Sequence, residues 1–88
     1  MLRITRTSGS GGAEHLTLEG RLAGEWVSEL RAAAEPLLAR SRKLVVDLSG
    51  VAFVDPTGVR LLQDLVAAGA ALHGASAFVA ELLGGPRR

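Results

Sequence analysis

No cysteine occurs among the 88 residues, which excludes a disulfide framework, thiolate metal ligation and thiol chemistry. Tyrosine is absent as well, and aromatics make up only 3% of the chain. The core therefore has to be aliphatic, built from Leu, Val and Ala. An excess of one charge is also missing: ten Lys and Arg against nine Asp and Glu leave a net charge of +1. So weak a field draws in neither nucleic acid nor an anionic membrane. No apolar run approaches transmembrane length, and Met1 leads into a strand pattern instead of a signal peptide. A soluble, cytoplasmic chain is expected, with no membrane insertion and no nucleic-acid partner.

What is present is mostly apolar. At 48% hydrophobic the chain is too rich for a disordered segment, and its length suits one small domain over residues 1–88. A chain this short buries a single modest core.

The most informative stretch runs from Leu44 to Leu62, LVVDLSGVAFVDPTGVRLL. Leu44, Val45 and Val46 form the continuous apolar run of a strand covered on both faces, extending to Leu48. Asp47 to Gly50 reads as a turn, with Val51, Phe53 and Val54 returning the chain to the core. Asp55-Pro56-Thr57-Gly58 reads as a helix start, with Asp55 at the N-cap and Pro56 at the first helical position. Proline costs nothing there, because that N–H has no helical partner in any case.

Before this stretch, Leu2 to Thr7 and Glu14 to Glu19 alternate apolar with polar, the period of half-exposed strands. Ser8 to Gly12 between them reads as a hairpin loop. A phosphate cradle is the weaker reading, since no Lys-Ser/Thr follows and the next element is a strand. Glu25 to Ser41 reads as an amphipathic helix with Trp26, Val27, Leu30, Ala33, Ala34, Leu37 and Leu38 facing the sheet. Trp26 is expected to pack at the core or its rim. Pro36 should kink that helix or split it near Ala32 to Glu35.

After the helix start at Pro56, Val59, Leu62 and Val66 are expected along one core-facing side, widened by Leu61 and Leu65. Gly69 should end the helix. Ala70 to Leu72 is expected as a short strand, and Ser76 as the cap of a last helix, Ala77 to Leu83. Gly84 to Arg88 reads as a loose tail. The fold class is α/β: a small mixed sheet of about four strands packed against three helices, in the order β-β-α-β-α-β-α.

No catalytic constellation stands out. His15 and His73 are isolated in sequence, and His15 is expected at a solvent-facing strand position. The serines lie in loops or at caps. Asp47 and Asp55 are readable as a carboxylate pair or metal site, or more simply as a turn residue and a cap. The expectation is no enzyme, no metal and no cofactor.

The segment Asp47 to Val59 follows the pattern Asp-Leu-Ser-x-Val-x-Phe-Val-Asp-x-Thr-Gly-Val, which resembles the signature of STAS domains, the anti-sigma-factor antagonists and their relatives. Gly20-Arg21-Leu22 and Gly74-Ala75-Ser76 are similar to a strand end and a last helix start of that family. The resemblance covers about Leu16 to Leu83. It implies a protein-binding corner made of Asp55, Pro56, Thr57, Gly58 and Arg60, with Thr57 as the phosphoacceptor candidate. Pro56 stands where the switch proteins of the family usually carry a second small hydroxyl residue. The implied partner is an anti-sigma factor or related serine kinase, and partner switching in bacterial transcription regulation is the implied role. The alternatives are a subunit of an ABC lipid-transporter assembly, or a binder of a small anionic ligand. A homodimer is left open. On the residues alone, Thr57 reads equally as a plain helix-start residue.

Overall fold

The computed structural model describes residues 1–9, 12–40 and 43–82. The tip of the expected hairpin at Ser10 and Gly11, the expected helix end at Ser41, Leu83 and the tail from Gly84 lie outside the described residues. So do the side chains of Phe78 and Leu82.

Seven elements follow one another: β1 (Leu2–Ser8), β2 (Ala13–Leu22), α1 (Glu25–Arg40), β3 (Lys43–Val54), α2 (Pro56–Ala67), β4 (Ala71–His73) and α3 (Ala77–Leu82). The sheet has four strands in the order β1-β2-β3-β4. The first pair is antiparallel, with Thr5 opposite Thr17, and the other two pairs are parallel. Parallel neighbours need a crossover, which is where α1 and α2 are spent. This is the α/β mixed sheet with three helices expected from the sequence.

Strand alternation places Leu16 and Leu18 of β2 and Leu44, Val46 and Leu48 of β3 in the core, each no more than 1% exposed. Helix α1 adds Val27, Leu30, Ala34 and Leu37, and α2 adds Leu61, Leu62 and Leu65. Trp26 packs half-buried against this cluster. The alternate residues Thr17, Val45 and Asp47 stay only partly covered, so the helices shield one sheet face and leave the other open, and β3 is not covered on both faces as its apolar run suggests.

Two further local expectations fail for identifiable reasons, and of the kink or split expected at Pro36 the split is absent. Asp47 to Gly50 is no turn, because β3 runs unbroken from Lys43 to Val54. Two bulges disguise it. Thr17 and Glu19 of β2 face Asp47 and Gly50, then Gly20 and Arg21 face Val51 and Phe53, so β3 carries extra residues at each step. Each bulge resets the alternation, so that Val51 and Val54 return to the core face. Asp47 nonetheless bonds locally, its Oδ1 accepting from the N–H of Ser49 at 2.9 Å and from its hydroxyl at 2.7 Å.

Pro36 does not split α1, which is one helix through that position. Pro36 lies on the exposed side, where a carbonyl that lacks its helical donor can be hydrated. Val66 is 48% exposed, not part of the core stripe. The buried face of α2 runs through Gly58, Leu61, Leu62 and Leu65, rotated away from Val66.

Gly69 ends α2 with φ +112°, a conformation that glycine adopts without strain. Ala70 N–H donates to Leu65 C=O at 2.9 Å and Gly69 N–H to Val66 C=O at 3.0 Å, satisfying carbonyls of the last turn. The short strand that follows lies one residue later than expected. Ser76 caps α3, its Oγ accepting from Val79 N–H at 3.2 Å.

Candidate functional site

The C-terminal end of β3 delivers the chain to the first turn of α2, and Asp55 organises that junction. Its backbone is extended, its Oδ1 accepts from Gly58 N–H at 2.7 Å, and Pro56 takes the first helical position. These are the cap and proline roles expected from the sequence. The same Oδ1 accepts from the Thr57 hydroxyl at 2.8 Å. Oδ2 reaches across to the N–H of Gly24 at 2.9 Å, in the turn that opens α1. The backbone N–H of Asp55 donates to Leu22 C=O at 3.0 Å. One aspartate thus ties the starts of two helices to the end of β2.

The N–H groups of Gly24 and Gly58, and then the Thr57 hydroxyl, hold the Asp55 carboxyl below its ordinary value of 3.8. A carboxyl whose folded-state pKa is depressed stabilises the fold above its unfolded value. That contribution is lost as pH falls through the depressed value. Asp47 behaves likewise, held down mainly by Ser49. Asp55→Asn, which keeps a capping side chain, should therefore lose less stability than wild type between neutral pH and about pH 3. Urea titrations at both pH values read this, and an unchanged loss in the variant would show that the Asp55 charge contributes nothing. Asp55→Ala should cost about 1 to 2 kcal/mol at neutral pH.

Thr57, Pro56 and Arg60 are exposed at this corner. Gly58 is not. It is buried, and a side chain there would meet Val54 Cγ1 at 2.8 Å and Leu22 C=O at 2.9 Å. Its part is therefore close packing of α2 on the sheet, and it offers no surface to a partner. The structure adds residues absent from the sequence-based set. Val27 and Arg31 of α1 join Pro56, Thr57 and Arg60 around a groove of about 420 Å³. A second groove of about 380 Å³, which also has Pro56 in its lining, is bounded by Phe53, Val54 and Val59. Arg31 lies on the polar face of α1, where sequence alone shows only solvation.

Asp47 and Asp55 are not brought together. Asp47 lies on the open sheet face, while Asp55 follows the end of β3. The two histidines, isolated in sequence, do converge on Asp47. His73 is its partner in register on β4, and the charges of His73 and His15 help to lower its pKa. Among the described residues no group of three or more His, Asp or Glu is arranged to hold a metal ion. No described helix is long and apolar enough to cross a membrane.

A family model described as "Mlab, STAS domain" matches residues 5–84. Among curated proteins no match is found. The fold is similar to that of an anti-sigma factor antagonist from Mycobacterium paratuberculosis, with a TM-score of 0.79 and 19% identity over 96% of this chain and 79% of that one. The unphosphorylated form of the anti-sigma factor antagonist SpoIIAA gives 0.73 at 17% identity, covering 93% of this chain and 82% of the other. A STAS-domain antisigma-factor antagonist from Rhodobacter sphaeroides gives 0.68 at 22% identity, covering 83% and 86%. Identities this low speak to the fold. The family model spans nearly the whole chain, including the β3–α2 junction built around Asp55, and on that ground the chain belongs to the STAS domain family.

Proposed function

We propose that the chain is a non-enzymatic protein-interaction module that resembles the anti-sigma-factor antagonists in its role. A partner docks over the exposed corner formed by Asp55, Pro56, Thr57 and Arg60, and phosphate on Thr57 opposes that docking. The observation that carries this reading is the position of the Thr57 hydroxyl. It is exposed in the first turn of α2 and donates to a carboxylate oxygen 2.8 Å away. Phosphorylation removes that donor and sets about two negative charges beside Asp55. A partner surface fitted to the unphosphorylated corner then meets repulsion and a desolvation cost. The likeness of the fold to anti-sigma factor antagonists, one of them in its unphosphorylated form, supports the same reading.

A second reading keeps the docking corner and drops the switch. Pro56 stiffens the helix start, and the Thr57 hydroxyl is already engaged by Asp55. The corner would then serve as a constitutive contact, as in a subunit of an ABC-transporter assembly.

Variants at Thr57 separate the two. Once the partner is isolated from the native host, affinities of wild type, Thr57→Glu, Thr57→Ala and Thr57→Val are compared at one salt concentration. The switch requires Thr57→Glu to weaken binding by about tenfold or more, equivalent to about 1.4 kcal/mol. Thr57→Ala and Thr57→Val should retain binding and take up no phosphate. Equal affinities throughout, with no phosphate on Thr57 in cells, would remove the switch in favour of the constitutive subunit.

A further inference from the structure

We infer that the docking corner recognises a short acidic–apolar segment of its partner, with a carboxylate seated between Arg31 and Arg60 and an aliphatic or aromatic side chain in the adjoining Phe53–Val59 groove. This rests on the reading of the corner as a docking site and concerns the protein with Thr57 unmodified.

The two grooves share Pro56 as a common wall and differ in chemistry. The first is basic. Arg31 comes from α1 and Arg60 from α2, so one groove is lined by cationic residues of two separate helices. Arg60 forms no ion pair among the described residues, and the ion pair of Arg31 is an exposed one with Glu35 at 3.6 Å. Pairs of that kind contribute little and are readily exchanged. The neighbouring carboxylate, Asp55, is already occupied by two N–H groups and the Thr57 hydroxyl. The Asp55 oxygens are turned to those donors and not to either arginine, so Arg31 and Arg60 remain available to an incoming group, and guanidinium favours the paired oxygens of a carboxylate.

The second groove is apolar. Val54, 2% exposed, lies at its base, with half-buried Phe53 and Val59 as walls. Arg21 stacks 5.1 Å from the centre of the Phe53 ring, which helps to hold the ring in place. Val66, one of the two large apolar residues left exposed among the described residues, follows Val59 two turns further along α2 and extends the apolar strip. Charge and apolar surface meeting at one proline call for both in the ligand.

Titration of isotope-labelled protein with two synthetic peptides, followed by NMR, tests this. One peptide alternates glutamate with leucine, and the other has lysine in place of every glutamate. The glutamate peptide should give saturable amide shifts at Val27, Arg31, Thr57, Val59 and Arg60, with millimolar or tighter affinity. The lysine peptide should give none there. Arg31→Glu with Arg60→Glu should weaken the glutamate peptide about tenfold or more, and Val59→Ser should weaken it by a smaller factor. The unchanged remainder of each spectrum reports folding. Absence of saturable shifts, or equal shifts with the lysine peptide, would overturn the assignment. Inorganic phosphate reproducing the shifts and displacing the peptide would replace it with a small-anion site. Because the peptides are defined and the protein unmodified, failure here leaves the Thr57 comparison with the native partner intact.

Discussion

Val46→Asp is expected to leave the chain unfolded, without a cooperative thermal transition. Val46 is fully buried in β3 and lies in register with Leu16 on one side and Leu72 on the other. A carboxylate there has apolar neighbours and no partner, which costs several kcal/mol even after it takes up a proton. A chain of this size has on the order of 5 to 10 kcal/mol of stability to lose. Val45→Asp is the matched control, because Val45 points to the open face and is only half-buried. It should keep a cooperative transition and lose about 1 kcal/mol or less. Circular dichroism melts of both variants read the result. Wild-type melting in Val46→Asp would show that β3 is not an interior strand of the sheet.

Gly58→Val is expected to be the next most damaging change, costing on the order of 3 kcal/mol. The reason is contact, not backbone conformation. A Cβ at Gly58 would stand 2.9 Å from the Leu22 carbonyl oxygen, which is held in place by the Asp55 N–H. It would also stand 2.8 Å from Val54 Cγ1, on a side chain that is itself buried. Neither neighbour can give way easily, so α2 has to lift from the sheet end. Gly58→Ala should be milder, since the clash is partly offset by a gain in helix propensity of about 1 kcal/mol. For a domain of this size, Gly58→Val should lower Tm by roughly 12 °C or more. If Gly58→Ala raised Tm and Gly58→Val left it unchanged, the close approach of α2 to Leu22 would be wrong. Lifting α2 would also widen both grooves at Pro56, so peptide binding should fall together with stability.

Much of the architecture is legible from periodicity and punctuation. The strand at Leu44 to Leu48, the stripe of α1 and the Asp55-Pro56 helix start all appear in the structure, although the strand is covered on one face and not on both as its continuous apolar run suggests. These features depend on neighbours in the chain, so local rules reach them. The failures share the opposite property. Ser49-Gly50 looks like a turn because a bulge interrupts alternation, and only the facing strand β2 shows that pairing continues. Gly50 suits that continuation, since a Cβ there would meet Leu18 C=O at 3.0 Å. Val59, Leu62 and Val66 satisfy a helical spacing, yet the sheet selects a different face of α2 and leaves Val66 outside. Pro36 is tolerated because tertiary packing places it on the exposed side of α1.

The candidate site divides in the same way. Its helix start, cap and hydroxyl are contiguous residues, Asp55 to Thr57, and their bonding runs over two or three positions. Sequence by itself therefore determined the α/β class, the aliphatic core and the position of this corner. It could not determine that Gly58 faces inward, or that Asp55 reaches 31 positions back to Gly24. Nor could it place Arg31 beside Arg60, or His15 and His73 near Asp47. Hydrogen-bonded turns and amphipathic stripes are encoded within a few residues of chain. The grouping of charges and grooves depends on how α1 and α2 lie across one sheet, and that is decided only when the core closes.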